Sequence, residues 1–320
     1  FAFVADAAPG IFLDMTVESM PVTHVKQLWP WFAGSGARNW VLTNFFGGEV
    51  LKGAVTYHVE PGRIGNGVPL AADEIFGRFE VHDSRFDTAG AIPPIRDANG
   101  TVAFAGNTVD ITLSSGGVYL PSGKRVDASN GKLAIKQANR PPVIGRLDID
   151  VAGDAPAIAE LASLEPIDAM RHVGIAPEEF TGKVTGNVKA DIPLQKGIDP
   201  KTLGWHVELA VSDLAIARPL DGQKVTEARG TIVIDPDRAV ITTKAKLNDI
   251  PAEIAMVEPI GRSGVKKERT IDLSLDDKTR DRLFPGLSRL VSGPVEVRVD
   301  AASGSPRRLS ADLRGARLSV

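Results

Sequence analysis

The chain has 320 residues, of which 43% are hydrophobic and 24% charged, with a formal net charge of −3. That balance describes a folded chain rather than a disordered one, and it gives no basic footprint for a polyanion, so no nucleic-acid partner is expected. There is no cysteine, which removes disulfides, zinc–thiolate sites and thiol catalysis and is compatible with the cell envelope.

Residues 11–20 (IFLDMTVESM) read as a strand ending at Pro21. Thr23 is placed to cap a helical stretch running through Trp31, and residues 36–46 read as a second helix ending at Gly47-Gly48. From Val50 to about Ala152 the period becomes two, which puts one class of side chain on each face of a strand. Asn99-Gly100 and Asn130-Gly131 are two-residue hairpin signals, because a tight hairpin turn requires positive φ. The apolar positions are Phe79 and Val81, Val102 and Phe104, then Val109, Ile111 and Leu113, then Leu133 and Ile135, and Leu147, Ile149 and Val151.

Residues 154–180 change period. Ile158, Leu161 and Leu164 are spaced for a helix face, and Ile167, Met170 and Val173 continue one after Pro166. Strands resume at Gly182 and run to Leu275, with a turn at Asp235-Pro236-Asp237. Here Val207 and Leu209, Ile232 and Ile234, and Ile271 and Leu273 alternate with polar residues. Asp277 to Val291 reads as a third helical stretch with Leu283, Leu287, Leu290 and Val291 on one side and a break at Pro285-Gly286, and strands return to the end. Roughly fifteen to eighteen strands are expected, far more than the usual ~4–6 per sheet. The helices are too few for βαβ units, so the sheet must be antiparallel. No apolar run approaches the ~18–20 residues of a membrane span. The chain starts at Phe1 without a methionine and closes in an apparent strand, Ala316 to Val320. It reads as an excised piece of something longer, with any signal or anchor outside it.

Catalytic and metal signatures are missing. The histidines, His24, His58, His82, His172 and His206, show no i, i+4 pair and no His-x-His pair. Gly123-Lys124 lacks the rest of a phosphate loop, and Gly62, Gly65 and Gly67 do not complete a dinucleotide fingerprint. Neither Gly34-Ser35-Gly36 nor Arg262-Ser263-Gly264 makes a nucleophile elbow. Asp148/Asp150 and Asp276-Asp277 read as solvated strand positions, and Lys266-Lys267 and Arg307-Arg308 as charges at strand ends. No catalytic residue, metal or cofactor is expected.

One segment is more specific. Residues 19–50 contain Met20-Pro21, Leu28-Trp29-Pro30, Ala37-Arg38-x-Trp40-Val41, Asn44 and Gly48. Then come Ile92-Pro93-Pro94-Ile95-Arg96-Asp97, Gly100-x-Val102-x-Phe104-x-Gly106-x-x-Val109 and Gly145-x-Leu147-x-Ile149-x-Val151-x-Gly153. Gly182-x-Val184-x-Gly186 and Glu227-Ala228-x-Gly230 follow. In this order the elements resemble the AsmA-like family of bacterial envelope proteins, most closely its YhdP-type branch of bridge-like lipid-transfer proteins. The resemblance implies a mainly β fold, a long curved antiparallel sheet forming a taco-shaped apolar groove with a few short capping helices. It implies a middle segment of a periplasmic protein of a Gram-negative bacterium, the parent being anchored in the inner membrane. That parent would carry phospholipid between inner and outer membranes and support outer-membrane lipid homeostasis. Contact with membranes would be made by parts of the parent outside this segment.

On that reading the chain is one continuous unit. Residues 1–47 end a preceding strand region and add a helical segment, 48–153 and 181–276 are groove segments, and 154–180 is a helical insertion. Residues 277–292 are a helix, and 293–320 begin the next β segment. The groove lining is assigned to Phe79, Val81, Phe104, Val109, Ile111, Leu133, Ile135, Leu147, Ile149, Val207, Leu209, Ile232, Ile234, Ile271 and Leu273, and the partner to phospholipid acyl chains. Strand spacing of ~4.8 Å would make a trough of roughly fifteen strands on the order of 70 Å long. At ~0.8 kcal/mol per CH₂, a chain of ~16 carbons is worth on the order of 12 kcal/mol of apolar wall. Two other readings stay open from the residues alone: a passive β-rich envelope scaffold with a packed core and no ligand, and a carbohydrate-active β-protein. Only four Trp and two Tyr speak against the second.

Overall fold

A computed structural model describes residues 7–29, 35–88, 90–165, 167–194, 204–220, 222–260 and 264–318. The expectations resting on Pro30, Trp31, Gly34, Pro166, Arg262 and Ser263 lie outside the described residues. The elements in chain order are β1 (Ile11–Pro21), α1 (Val22–Leu28), α2 (Ser35–Asn44), β2 (Phe45–Phe46), β3 (Glu49–Val59), β4 (Ile75–Phe86), β5 (Ile95–Ala105), β6 (Thr108–Tyr119), β7 (Arg125–Ile135) and β8 (Ile144–Asp154). They continue with α3 (Ala155–Ser163), β9 (Phe180–Pro193), β10 (Trp205–Ile216), β11 (Val225–Ile234), β12 (Arg238–Leu247), β13 (Ile250–Pro259), β14 (Glu268–Leu275), α4 (Asp277–Leu283), β15 (Val291–Ser292), β16 (Val295–Ala302), β17 (Arg308–Asp312) and β18 (Arg317–Leu318).

The fold is mainly β, with a few short helices. Sixteen strands form one antiparallel sheet in the order β1-β3-β4-β5-β6-β7-β8-β9-β10-β11-β12-β13-β14-β16-β17, with β2 paired to β4. Apart from β2 and β15, which leave this line, each strand pairs with the next one along the chain, as tight antiparallel connections allow. The ladder is not closed, because β1 and β17 stand at its two ends. β15 and β18 make a separate two-stranded pair.

Several local expectations are corrected. α1 begins at Val22 behind Pro21 and has no side-chain cap, so Thr23 is a helical residue rather than its cap. α2 stops at Asn44, and Phe45 and Phe46 pair with Phe86 and Arg85 on β4. The 154–180 stretch holds only α3 and two short 3₁₀ turns, Ala169–His172 and Pro177–Glu179. Ile167 and Val173 are exposed, so the second half of that predicted helix face does not form. In the third stretch α4 ends at Leu283, and Leu283 and Leu290 are exposed. The break at Pro285 separates them from any common face. The buried residue of α4 is instead Arg280, which donates to the carbonyl oxygens of Val291 and Gly293, each at 2.6 Å, and to Asp277.

Neither Asn-Gly pair makes a turn: Asn99-Gly100 lies inside β5 and Asn130-Gly131 inside β7. The chain reverses at Gly106-Asn107 and at Leu120–Lys124, where Leu120 N–H donates to the Lys124 carbonyl at 2.9 Å. Asn99-Gly100 sits where the register of β5 against β6 shifts, and Asn130 takes left-handed geometry within a strand whose register against β6 is unbroken. In six strands a residue adopts left-handed geometry, Ser19, Asp83, Asp97, Asn130, Asp213 and Glu227, with φ between 45° and 52°. Each occupies the third place of a short frame: Val17-x-Ser-Met20, Val81-x-Asp-Ser84, Ile95-x-Asp-Ala98, Ala128-x-Asn-Gly131, Val211-x-Asp-Leu214 and Val225-x-Glu-Ala228. The extra residue makes the inward spacing three instead of two, so both flanking residues stay on the same face while the strand bends. Asp and Asn visit this geometry more readily than most residues.

Five of these left-handed residues are tied to the next strand. Arg229 holds Asp213, and Lys246 holds Glu227 at 2.8 Å. Tyr119 donates to Asp97 at 2.5 Å, Asn130 donates to Asp150 at 2.9 Å, and the Asp83 N–H donates to Asn99 at 3.2 Å.

The chain forms two compact units. The first is Phe1–Val151, Ser163–Asp168 and Asn187–Trp205; the second is Ala152–Ala162, Ala169–Gly186 and His206–Val320. In the first, Val17, Val22, Phe45, Val50 and Val81 form one buried cluster and Val55, Tyr57 and Ile75 another, with Met15, Trp29, Phe79 and Phe104 packed against the latter. In the second, Ala155 of α3 packs with Val184 and Val211, and Ile250, Leu275 and Val295 form a further cluster.

Two measurements check this packing. A Cβ on Gly100 would sit 1.9 Å from the Thr112 carbonyl oxygen, a backbone atom that cannot swing away. Gly100→Ala is expected to lower stability in urea unfolding by about 1–3 kcal/mol. Gly123→Ala meets no atom within 4 Å and carries only the cost of its φ of +83°, about 1 kcal/mol. The second concerns Tyr57, whose burial pushes its phenol up to about 12 from an ordinary 10.0. Between those values the folded chain keeps the proton and the unfolded chain releases it, so stability falls as pH rises through that window, by about 2–3 kcal/mol in total. With two tyrosines in the chain, the absorbance titration should show a last phenolate step near 12 that disappears in Tyr57→Phe.

Candidate ligand-binding face

Ladder register decides which side chains share a face, and in the first unit it gathers the expected lining. Phe79 stands opposite Val102, Val102 opposite Ile111, and Ile111 opposite Leu133. Two residues along each strand, Phe104 stands opposite Val109, and Val109 opposite Ile135. Val81 stands opposite Gly100, Gly100 opposite Leu113, and Leu113 opposite Gly131. Ile149 reaches over Gly131 and Leu133 over Gly145, which puts Leu147 and Ile149 of β8 on the same side. Val50, Val55 and Tyr57 of β3 and Met15 and Val17 of β1 extend these rows.

In the second unit Val207 faces Ile234, Leu209 faces Ile232, and Ile232 faces Ile241. Ile241 pairs with Met256, and two residues along that strand Ile254 pairs with Ile271. Leu273 pairs with Ala252 and Val297, so Ile271 and Leu273 lie on the same face as the others. Of the fifteen expected lining residues, Val81, Val109, Ile135 and Ile149 are buried at 7–9% exposure and the remaining eleven are half-buried.

The face is levelled by glycines. A Cβ on Gly53 would meet the Phe79 ring at 2.6 Å, and one on Gly77 would meet the Phe104 ring at 2.8 Å. Leu133 lies over Gly145 in the same way at 2.7 Å, and in the second unit Leu209 over Gly186 at 2.5 Å. Each large side chain therefore lies down across the neighbouring strand at a position with no side chain of its own. The result is a low-relief apolar floor rather than a set of sockets, a cross-strand device in which an aromatic or aliphatic group covers a strand glycine.

Among the described residues, short helices and the loop residue Leu70 lie against parts of the floor. α1 places Trp29 on Phe104, ring centroids 5.9 Å apart and planes 19° apart, and Phe104 in turn stacks with Phe79 at 6.4 Å. α3 sets Ala155 and Ile158 against Val184, Val211, Leu209 and Ile232. In the first unit these two buried clusters are made of adjacent strands of one sheet plus helix and loop residues. In the second, the cluster around Ile250 also takes in Val291 of the two-residue β15.

The expected lining is wholly apolar, but the sheet also places charge there. Arg269 stands opposite Met256, and Glu258 is two residues further along that strand. Both are half-buried, with Arg269 3.7 Å and Lys267 2.8 Å from Glu258. Sequence reading missed this pair because Glu258 and Arg269 sit where strand and turn meet. It also missed the glycine floor, for which the signal was present in Gly53, Gly77 and Gly145 spaced against large apolar residues.

The opposite face is polar and stitched. Thr56 donates to Asp14 at 2.7 Å, Thr101 and Thr112 share a hydrogen bond at 2.8 Å, and Arg298 grips Asp272 with two bonds of 2.7 and 2.9 Å. The paired carboxylates have structural partners. Asn187 donates to Asp148 at 2.8 Å and to Asp150 at 2.9 Å, and Asn187 and Asn130 together hold the Asp150 carboxyl below its ordinary range. Asp276 caps α4 by accepting from the Thr279 N–H at 2.7 Å, and that bond lowers its pKa. His58 lies 3.5 Å from Asp14 and His206 3.0 Å from Glu208, each on an exposed strand face. Among the described residues no group of three or more His, Asp or Glu is placed to hold a metal ion.

No protein-family model matches the chain, and no curated protein or solved structure does either.

Proposed function

We propose that the chain is the middle segment of a bridge-like lipid-transfer protein of the bacterial envelope, and that its apolar face carries phospholipid acyl chains between the inner and outer membranes. The observation that carries this reading is the low-relief apolar floor, continued from strand to strand by register and bulges and covered only in part by short helices. Acyl chains need apolar surface and no hydrogen bonds. A floor without deep sockets offers similar burial at each step, so a chain can move along it without a trap. The resemblance of residues 19–50 and of the glycine-spaced strands to the AsmA-like family supports the same reading and, with it, a periplasmic location. No helix among the described residues is long and apolar enough to cross a membrane, and on this proposal the contacts with both membranes belong to other parts of the parent protein.

The reading is tested by introducing a charge at three depths. Ile111 is half-buried on the floor, Ile149 is 9% exposed and Val59 is 0% exposed. Ile111→Asp is expected to cost about 1–2 kcal/mol and leave the chain folded, because water reaches the carboxylate when no lipid is present. Ile149→Asp should cost more, and Val59→Asp about 3–5 kcal/mol, the cost of an uncompensated buried charge. Mass spectrometry of organic extracts should find phospholipid with the native chain and much less with Ile111→Asp. Absence of lipid from the native chain, together with no lipid photo-crosslink from probes at Ile111, Leu133, Leu209 or Ile232, would establish the packed-scaffold alternative instead.

A further inference from the structure

Within the first unit, the stretch of floor formed by β1, β3, β4 and β5 is already occupied by the protein itself. Trp29 stacks on Phe104 and packs against the cluster of Val55, Tyr57 and Ile75, as Met15 of β1 also does, while Val22 and Val25 of the same helix join the neighbouring cluster. α1 has seven residues and no side-chain cap, so it has little stability of its own and is held in place by what it packs against. Its polar fastenings include the Val22 N–H bond to the Gly48 carbonyl at 3.1 Å and the side chain of Lys26. That ammonium donates to the carbonyl oxygens of Leu42 at 2.9 Å and Phe45 at 2.6 Å, at the end of α2, and lies 4.6 Å from the Phe46 ring. Arg38 of α2 adds a bond to the Trp29 carbonyl at 3.2 Å. An apolar contact can be exchanged for an acyl chain at little net cost, since both bury the same kind of surface. The lysine bonds are among the directional contacts that such an exchange must break.

We propose that α1 and Trp29 form a displaceable plug, latched by Lys26, which occupies the acyl-chain path over β3–β5 and must lift before a lipid can pass that stretch. The inference rests on the lipid-conduit reading and adds to it a point of control. The floor beneath the plug is complete without it: Phe79 and Phe104 lie over Gly53 and Gly77 and do not depend on Trp29 to fill a hole. Leu28, next to Trp29, is 46% exposed. The helix therefore presents apolar surface outward as well, which suits an element that meets lipid in passing.

The experiment uses the full 320-residue chain with a photo-reactive residue at Met15, which packs on the same cluster as Trp29, or at Ile232, on the floor of the second unit. The chain is incubated with vesicles of phosphatidylethanolamine and phosphatidylglycerol carrying a labelled phospholipid. Trp29→Ala removes the stacked ring, and Lys26→Gln releases the latch while leaving the apolar contacts in place. Each variant is checked by thermal melting, and should Trp29→Ala fail to fold, Lys26→Gln decides alone. The expected result is a several-fold rise in lipid crosslinking at Met15 in both variants with the yield at Ile232 unchanged. Crosslinking at Ile232 with a Met15 yield that neither variant raises would overturn the plug and leave the conduit standing. No crosslinking at either position in any folded variant would overturn the conduit and the plug together.

Discussion

The structure depends on keeping one apolar face continuous through long, bent, antiparallel strands. A strand with strict alternation can do this only while it stays straight. A bend requires an extra residue, and an extra residue turns every following side chain to the wrong face. The frame of apolar residue, spacer, left-handed Asp, Asn, Ser or Glu, then inward residue solves both problems in one step. In β10, Val211 and Leu214 stay inward across Asp213, and in β5, Ile95 and Ala98 stay inward across Asp97. The left-handed residue points its polar group to the outer side, where the following strand holds it. Arg229 on Asp213 and Tyr119 on Asp97 turn a local irregularity into a cross-strand fastening.

The two faces therefore do opposite jobs. The outer face has directional interactions, such as the two-bond Arg298–Asp272 pair and the Asn187–Asp148–Asp150–Asn130 network, which fix register. Each exposed pair contributes little to stability, but a register error would break many of them at once. The inner face has contacts without direction. Rings and branched chains lie over glycines, and nothing in their arrangement selects one ligand geometry over another. On the conduit proposal, a back with fixed register and a floor without directional contacts would let an acyl chain slide while the sheet keeps its shape.

Much of this was legible in the sequence, for a physical reason. Period-two alternation follows directly from the strand pleat, so β8, β10, β11, β14 and β16 could be placed from Leu147, Val207, Ile232, Ile271 and Val297 and their neighbours. Antiparallel order followed from the shortage of crossover helices, and the fifteen lining residues fell on one face in each unit because register and alternation are the same constraint. The failures share a cause as well. Asn99-Gly100 and Asn130-Gly131 were read as turns because positive φ is the commonest use of such pairs. A strand bulge makes the same local demand, and only the partner strand tells the two apart: Thr112 crowding Gly100, and Leu113 over Gly131. The helix expected over 277–292 failed at Pro285. Its buried residue, Arg280, is charged and satisfied by backbone carbonyls that lie eleven and thirteen residues away, a pairing no helical periodicity displays.

The covering helices show why the face is not simply an unfinished core. A sheet whose apolar side was meant to be sealed would pack it against a second layer along its length. Here coverage is local and made by short elements: Trp29 and two valines of α1 over one stretch, Ala155 and Ile158 of α3 over another. Within each unit, many floor residues are half-buried among the described residues, with large side chains lying over neighbouring glycines. Half-burial leaves part of each side chain's transfer free energy unrealised, about 25 cal/mol for each Å² still in contact with water. Summed over a face of this extent, that is the free energy an apolar ligand gains on arrival. It is also what would draw two such chains together if none were present. The short helices reduce that exposed area where they sit, and the charged Arg269–Glu258–Lys267 group interrupts it at one rim. Within each unit, the half-buried apolar residues that the described helices leave uncovered, such as Ile111 and Leu133 in the first and Ile241 and Ile254 in the second, offer area without direction, which on the conduit proposal is what an acyl chain requires.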